Sequence, residues 1–285
     1  MLSYQHGYHA GNFADVHKHV VLSLILAYLR RKPGPLSVLD FYAGRGRYDL
    51  HGAQAAKTGE AAAGIMRLLD QQPWPTLLDD YREALMSVNK GVAKGTLVRY
   101  PGSPLIARHV GGDEVRLTCC ELHPMEFGAL AELFRPITSK PRPRVQLHKR
   151  DALEAMTGML PPTPRRGLAI LDPSYELRDD YSAMAKALTQ ALKRWSTGVY
   201  LLWYPLLPDA RHERMLRSLR AVVPGDVVQS ELIVRKSGAG MHGSGVLVIN
   251  PPYVLAEQLA SLQDWFATLS DLPTGQGGAG GLFVR

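Results

Sequence analysis

The sequence predicts an α/β protein, a wound sheet that carries a small helical insertion. Three observations lead there. Short apolar runs of strand length recur at 36–42, 115–120, 145–147, 167–171, 198–203, 227–234 and 245–249. Helix-like stretches at 125–134, 179–195 and 209–219 fall between them, and strands alternating with helices imply helices on both faces of a sheet. One interval, 49–98, is too long for a single crossover and is rich in Ala, Leu and Met, interrupted by Pro73-Trp74-Pro75.

Taken in order, residues 16–31 read as the first helix, with Val21, Leu24, Ile25 and Tyr28 at helical spacing. Asp15 is placed to cap it, and Pro33-Gly34-Pro35 ends it. The run 36–42 is a buried strand entering Ala43-Gly44-Arg45-Gly46. Residues 49–98 then form an inserted helical subdomain, and 1–48 with 99–285 form the main domain. The stretch 275–281, five glycines in seven residues, is expected to be a mobile tail.

Composition excludes several classes. At 285 residues with 46% hydrophobic and 21% charged, the chain is globular rather than disordered, collagenous or coiled coil. It is long enough to need no covalent staple. Cys119 and Cys120 are neighbours on an expected strand and point to opposite faces, so a bridge between them would be strained. A reduced, cytoplasmic protein without a cysteine zinc site is expected. The apolar run 20–29 is about half a membrane span. Arg30-Arg31-Lys32-Pro33 follows it where an export cleavage site would lie, so neither membrane insertion nor export is expected.

The formal charge is +7, from 33 Lys+Arg against 26 Asp+Glu, which favours a polyanionic partner. The cations cluster. Arg135, Lys140, Arg142, Arg144, Lys149 and Arg150 share a segment with no acidic residue, and Arg211, Arg214, Arg217 and Arg220 recur along one helix flank. Nucleic acid is the leading partner.

Chemistry is carried first by residues 38–46, an apolar strand ending in an acid and a Gly-x-Gly turn. Asp49 replaces the third glycine of a full dinucleotide fingerprint, so this loop alone is weak. Acids at successive strand ends strengthen it. Glu121, Asp151 and Asp172 each follow an apolar run, and ligands of open α/β sheets bind at those carboxyl ends. Glu121 could hold ribose hydroxyls and Asp151 an exocyclic amine. Capping of the following helices is the other reading of each.

The sharpest signal is Asp172-Pro173-Ser174-Tyr175. It resembles the Asp-Pro-Pro-Tyr signature of methyltransferases acting on exocyclic amino groups. Adenine N6 is a poor nucleophile because its lone pair is delocalised. A carboxylate and a backbone carbonyl accepting its two hydrogens favour a pyramidal nitrogen with an available lone pair. Proline fixes the turn, tyrosine stacks on the extruded base, and the aspartate accepts the proton lost from the cationic nitrogen. Ser174 in place of the second proline predicts a looser turn with the chemistry kept. Asn250-Pro251-Pro252-Tyr253 matches by letter, but asparagine takes no proton and the motif follows a late strand. Asp172 is therefore the expected catalytic turn.

His6, His9, His17 and His19 crowd the first nineteen residues. On a helix His17 and His19 project about 200° apart and do not grip one metal together. The alternative is a polar lid, with Tyr4 and His6 reaching the substrate.

The opening Met1-Leu2-Ser3-Tyr4-Gln5-His6, the run from His9 to His19, Tyr100-Pro101-Gly102-Ser103-Pro104, Glu121-Leu122-His123-Pro124 and the Asp172 turn together resemble one family over essentially the whole chain. It is the bacterial large-subunit ribosomal RNA adenine N6-methyltransferases of the J type. The resemblance implies a Rossmann-like class I methyltransferase fold, S-adenosyl-L-methionine as cofactor, and one adenine of 23S rRNA as target during ribosome assembly. The RNA would be naked or in an assembly intermediate, and the enzyme a monomer without metal. By motif, His19, Tyr42, Gly44, Ser103, Glu121, Asp151, Ala152 and Asp172 would lie against the cofactor. Tyr42 stands where the family has histidine, and a packing contact is expected of it. Asp172 would accept the proton, framed by Pro173 and Tyr175, with Tyr4, His6 and Lys18 around the base. A DNA adenine methyltransferase or a catalytically inactive RNA-binding module are the alternatives.

Overall fold

Alternation along the strands sorts the apolar side chains into two layers. The computed structural model describes residues 4–93, 95–135, 144–223, 225–238, 240–273 and 280–285. Its strands are β1 (Leu36–Asp40), β2 (Arg47–Asp49), β3 (Arg99–Pro101), β4 (Val115–Cys120), β5 (Val145–His148), β6 (Gly167–Leu171), β7 (Val199–Leu206), β8 (Val227–Ile233), β9 (Gly243–Ile249) and β10 (Gly281–Val284). The helices are α1 (Phe13–Arg30), α2 (Ala53–Thr58), α3 (Arg67–Leu69), α4 (Asp79–Ser87), α5 (Ser103–Gly111), α6 (Pro124–Leu133), α7 (Ala152–Met159), α8 (Asp180–Arg194), α9 (Arg211–Arg220), α10 (Leu255–Ser261) and α11 (Gln263–Ala267).

The main sheet runs β10-β8-β9-β7-β6-β1-β4-β5. Strands β5, β4, β1, β6 and β7 are parallel, whereas β9 is antiparallel to both β7 and β8. This is the expected Rossmann-like sheet. Val38, Cys119, Ile170 and Leu201 face one core with α1 and α5, while Leu39, Cys120, Ala169 and Leu202 face another with α7, α8 and α9. The two cysteines are free, buried thiols on opposite faces.

Two details depart from the sequence reading. Asp15 does not cap α1: Asn12 does, accepting the Asp15 N–H on its own Oδ1 at 2.9 Å. The chain end is not a free tail throughout. Residues 275–279 lie outside the described residues, but Gly281–Val284 pair antiparallel with β8 and seat Leu282 in the core. The sequence does not announce the short β2–β3 pair either; three-residue strands carry too little periodicity to read.

Helix α1 is buried continuously from Phe13 to Leu26, polar residues included. A helix enclosed on all sides needs cover opposite the sheet, and residues 53–87 supply it. Trp74, Leu78, Tyr81 and Leu85 join the same core as Val21, Leu22 and Ile25. Each such side chain fully buried contributes about 1.5–3 kcal/mol. Residues 54–65 also grip the segment before α1. A Cβ on Gly64 would overlap the Gly11 carbonyl, and Ile65 N–H donates to that carbonyl at 2.8 Å. Gln54 donates to Gln5 (2.6 Å), and Glu60 accepts from Asn12 (2.9 Å) and meets His9 Nδ1 (2.9 Å).

Candidate active site

The strand order reverses direction between β1 and β6, and the carboxyl edge of the sheet at such a switch point forms a crevice. A cavity of about 420 Å³ lies there, within the size range of small-molecule sites. The loops after β1, β4, β5, β6 and β7 form its walls, and α1 with the N-terminal segment closes one side. Every expected site residue lines it: Tyr42 and Gly44 after β1, Glu121 after β4, Asp151 and Ala152 after β5, Asp172, Pro173 and Tyr175 after β6. Ser103 enters from the start of α5, Lys18 and His19 from α1, and Tyr4 and His6 from the segment before it.

One end of the cavity is built on the glycine turn. Gly44 has φ +59° and no space for a side chain, because a Cβ would overlap the Tyr48 hydroxyl. Its N–H donates to Glu121 Oε2 at 2.9 Å, and His123 N–H donates to Oε1 at 2.7 Å. Burial raises the Glu121 carboxyl, against the lowering effect of those two N–H groups. Helix α6 is capped by His123 Nδ1 instead, so Glu121 is not a cap. Asp151 is one: its Oδ1 accepts the N–H groups of Leu153 (2.9 Å) and Glu154 (3.1 Å). Tyr42 is half-buried, and burial, with Asp151 next in effect, raises its phenol.

The other end is a chain of polar contacts that crosses from the N-terminal segment to β6. Tyr4 Oη lies 2.8 Å from His6 Nδ1, and His6 Nε2 lies 2.8 and 3.0 Å from the two oxygens of Asp15. Asp15 Oδ1 is 3.1 Å from Lys18 Nζ, which also donates to Asp172 Oδ2. Burial opposes charge on Lys18, but Asp172 and Asp15 outweigh it and raise the ammonium above its ordinary value. Burial likewise opposes ionisation of Asp15, and His6 and Lys18 outweigh it, leaving the carboxyl well below its ordinary range. Sequence reasoning gives Asp15 no place in the site. The available signal is an acid three residues before a lysine on one helix face, ahead of the apolar stretch that begins at Val20.

Asp40, the acid that ends β1, is fully buried and does not line the cavity. Burial, partly offset by the Ser103 hydroxyl and the Tyr42 N–H, pushes its carboxyl up to about 7.

Tyr175 is buried at φ +51°, its hydroxyl donating to the Trp203 carbonyl (3.0 Å) and its ring stacked on Tyr181 (4.3 Å). It is a fixed wall of the cavity. The exposed aromatic at the mouth is Tyr4, stacked on His9. His17 does not line the cavity: it is bonded to Ser230 and Ser244 in β8 and β9, and burial lowers its imidazole to about 3. His19 stays and meets Tyr100 Oη at 2.9 Å; burial lowers it to about 3 as well.

The Asn250 motif lies on the wrong edge. Ile249 pairs with Tyr200 at the start of β7, so Asn250 emerges opposite the cavity. There its Nδ2 donates to the carbonyls of Ser196 (2.8 Å) and Gly198 (2.7 Å), and Tyr253 is exposed.

Of the basic segments, residues 136–143 lie outside the described residues, and Arg150 lines the cavity. Helix α9 buries Met215, Leu216 and Leu219 and exposes Arg214, Arg217 and Arg220. Arg211 pairs with Asp209 (2.6 Å) and Arg217 with Glu213 (3.2 Å).

Comparison with known proteins places the chain among relatives. Residues 33–279 match the sequence model of a family described as "Ribosomal RNA large subunit methyltransferase D, RlmJ". The chain is 39% identical over 281 residues to "Ribosomal RNA large subunit methyltransferase J" of Escherichia coli, covering 98% of this chain and 97% of that one. It is 38% identical to the protein of the same name from Haemophilus influenzae, over 97% of this chain and 96% of that one. A crystal structure of a Legionella pneumophila protein superposes with a TM-score of 0.83 at 35% identity, over 97% of this chain and 98% of the other.

Proposed function

The chain belongs to the ribosomal RNA large subunit methyltransferase J family, and from that premise we propose that it methylates the N6 amine of an adenine in 23S rRNA with S-adenosyl-L-methionine. The observation that carries the reading is Asp172. It stands at the carboxyl end of β6 on the cavity wall, ion-paired to Lys18 and followed by Pro173.

The residues present fit the cofactor. The glycine turn lines the cavity at Gly44, where the Tyr48 hydroxyl leaves no room for a side chain. Glu121 is a carboxylate already ordered by two backbone N–H groups, suited to accept from paired ribose hydroxyls. Tyr42 and Ala152 offer apolar walls, and Ser103, Asp151 and His19 offer polar atoms near them. When bound, S-adenosylmethionine supplies an electrophilic methyl group whose C–S bond breaks with the electron pair staying on sulfur.

The chain's own residues hold the amine and take its proton. Asp172 accepts one N6 hydrogen, and the Pro173 turn presents a carbonyl to the other. The nitrogen lone pair then points at the methyl group, so much of the catalysis is positioning. As nitrogen becomes cationic, its proton passes to the Asp172 carboxylate and later to water. Tyr4, exposed at the mouth and held by His6, is placed to stack on an extruded base. Exposed Arg214, Arg217 and Arg220 supply sequence-independent phosphate affinity.

The test is transfer of labelled methyl from S-adenosylmethionine to deproteinised 23S rRNA. Label recovered as N6-methyladenosine, abolished by Asp172→Ala and kept in Asn250→Ala, is expected. Transfer to another atom, or to duplex DNA in preference to rRNA, would overturn the assignment.

A further inference from the structure

The buried carboxylate of Asp15 has no assigned part in this chemistry, yet it is the hub of the polar chain. An acid in the first turn of a helix ordinarily does no more than favour the helix dipole from an exposed position. Asp15 is instead 1% exposed and bonded on every side. Its Oδ2 accepts the Gly11 N–H at 2.9 Å and faces His6 Nε2 at 2.8 Å; its Oδ1 faces His6 Nε2 at 3.0 Å and Lys18 Nζ at 3.1 Å. The two arms lead to different residues of the site. One arm reaches Asp172 through Lys18. The other reaches the Tyr4 hydroxyl through His6.

A carboxylate only accepts hydrogen bonds, so the His6 nitrogen against it carries the hydrogen. When that ring is neutral, Nδ1 is left an acceptor, and Tyr4 O–H is then the donor that can meet it. On the other arm, Lys18 is shared between two carboxylates, so Asp172 does not hold the ammonium alone. We propose that Asp15 is the positioning residue of this site. Its carboxylate fixes the His6 tautomer that receives the Tyr4 hydroxyl and sets Lys18 between itself and Asp172. Anchoring through Gly11 ties this hub to the insertion, whose Ile65 N–H donates to the Gly11 carbonyl. The N-terminal segment is thereby registered against β6 by one side chain. The effect on turnover rests on the methyltransferase reading above; the tautomer does not.

The experiment uses the full chain labelled with nitrogen-15 in histidine, in the absence of RNA. Long-range proton–nitrogen spectra are expected to show wild-type His6 protonated at Nε2, with Nδ1 in the range of a hydrogen-bonded acceptor. Tyr4→Phe should move only the Nδ1 resonance. Asp15→Asn keeps the shape and removes the charge, and should shift His6 toward a mixture of tautomers. In methyl transfer to 23S rRNA, Asp15→Asn should lower kcat about 10- to 100-fold, the scale of losing one or two charge-assisted hydrogen bonds. KM for S-adenosylmethionine should stay within about twofold, the Glu121 end being untouched. Wild-type His6 protonated at Nδ1 would overturn the proposal even if Asp15→Asn failed to fold. A folded Asp15→Asn with wild-type His6 resonances, or with wild-type kcat, would overturn it too. A wild-type protein that transfers no methyl to RNA would instead sink the functional reading and leave the tautomer to decide on Asp15.

Discussion

Replacing Lys18 by methionine removes the cation that two carboxylates share. The side chains of Lys18, Asp15 and Asp172 are 5%, 1% and 15% exposed, so water replaces little of what is lost. Removing one partner of a buried ion pair costs about 3–5 kcal/mol. Asp15 keeps His6 and the Gly11 N–H, which places the expected loss near the lower end, about 3 kcal/mol. For a chain of this size each kcal/mol lowers Tm by about 2 °C, giving a fall of about 6 °C. The pH dependence sharpens the test. In the wild type the folded Asp15 carboxyl lies below its ordinary value. Its stabilisation is therefore complete above that value and is lost only as pH falls through the depressed one. Lys18 is raised, so its share is complete below the ordinary lysine value and is lost only at high pH. Both are intact at pH 7.5 and at pH 5. In Lys18→Met the carboxylates face burial with less compensation, and a proton bound to one of them relieves the fold. The deficit of the variant, measured by urea unfolding, should therefore be smaller at pH 5 than at pH 7.5. Equal stabilities at pH 7.5, or a deficit that widens on acidification, would refute the account of a shared, buried ammonium.

Three further outcomes are expected. Asp40, with its carboxyl at about 7 in the folded chain, contributes stability below the ordinary carboxyl value that fades as pH rises through 7; Asp40→Asn should flatten this slope and gain up to about 4 kcal/mol at pH 8. A variant as pH-dependent as the wild type in unfolding titrations would count against it. Asn250→Ala should cost about 1–2 kcal/mol in denaturant melts, since two carbonyls lose their donor, while methyl transfer stays at the wild-type rate. Replacing Arg214 and Arg217 by glutamine should weaken RNA binding and reduce the slope of log K against log salt by about 0.7–0.9 for each phosphate left without its arginine. An unchanged slope would remove α9 from the RNA-facing surface.

What is legible in the sequence follows from how local each signal is. The parallel strands carry their own evidence: 167–171 is five apolar residues bounded by Gly167 and Asp172, and a buried strand has few other ways to look. The acids at the strand ends are legible for the same reason, because an open α/β sheet brings those ends to one edge without further information. The Asn250 motif shows the limit of letters. Its four residues match the signature better than those at Asp172, and only the antiparallel direction of β9 sends them to the far edge. Asp15 reads as a cap because capping is a local property, whereas its real partners are distant. His6 lies nine residues earlier and Asp172 lies 154 residues beyond Lys18, and no periodicity links them. The same holds for the insertion. Its composition announces helices, yet nothing in it foretells that Ile65 and Glu60 hold the backbone of Gly11 and the side chain of Asn12. Strand order alone brings the loops after β1, β4 and β5 to one end of the cavity. The other end depends on a segment outside the sheet, registered by long-range contacts: Tyr4 meets His6, His6 meets Asp15, and Lys18 links Asp15 to Asp172, while Ile65 and Glu60 hold Gly11 and Asn12 beside them.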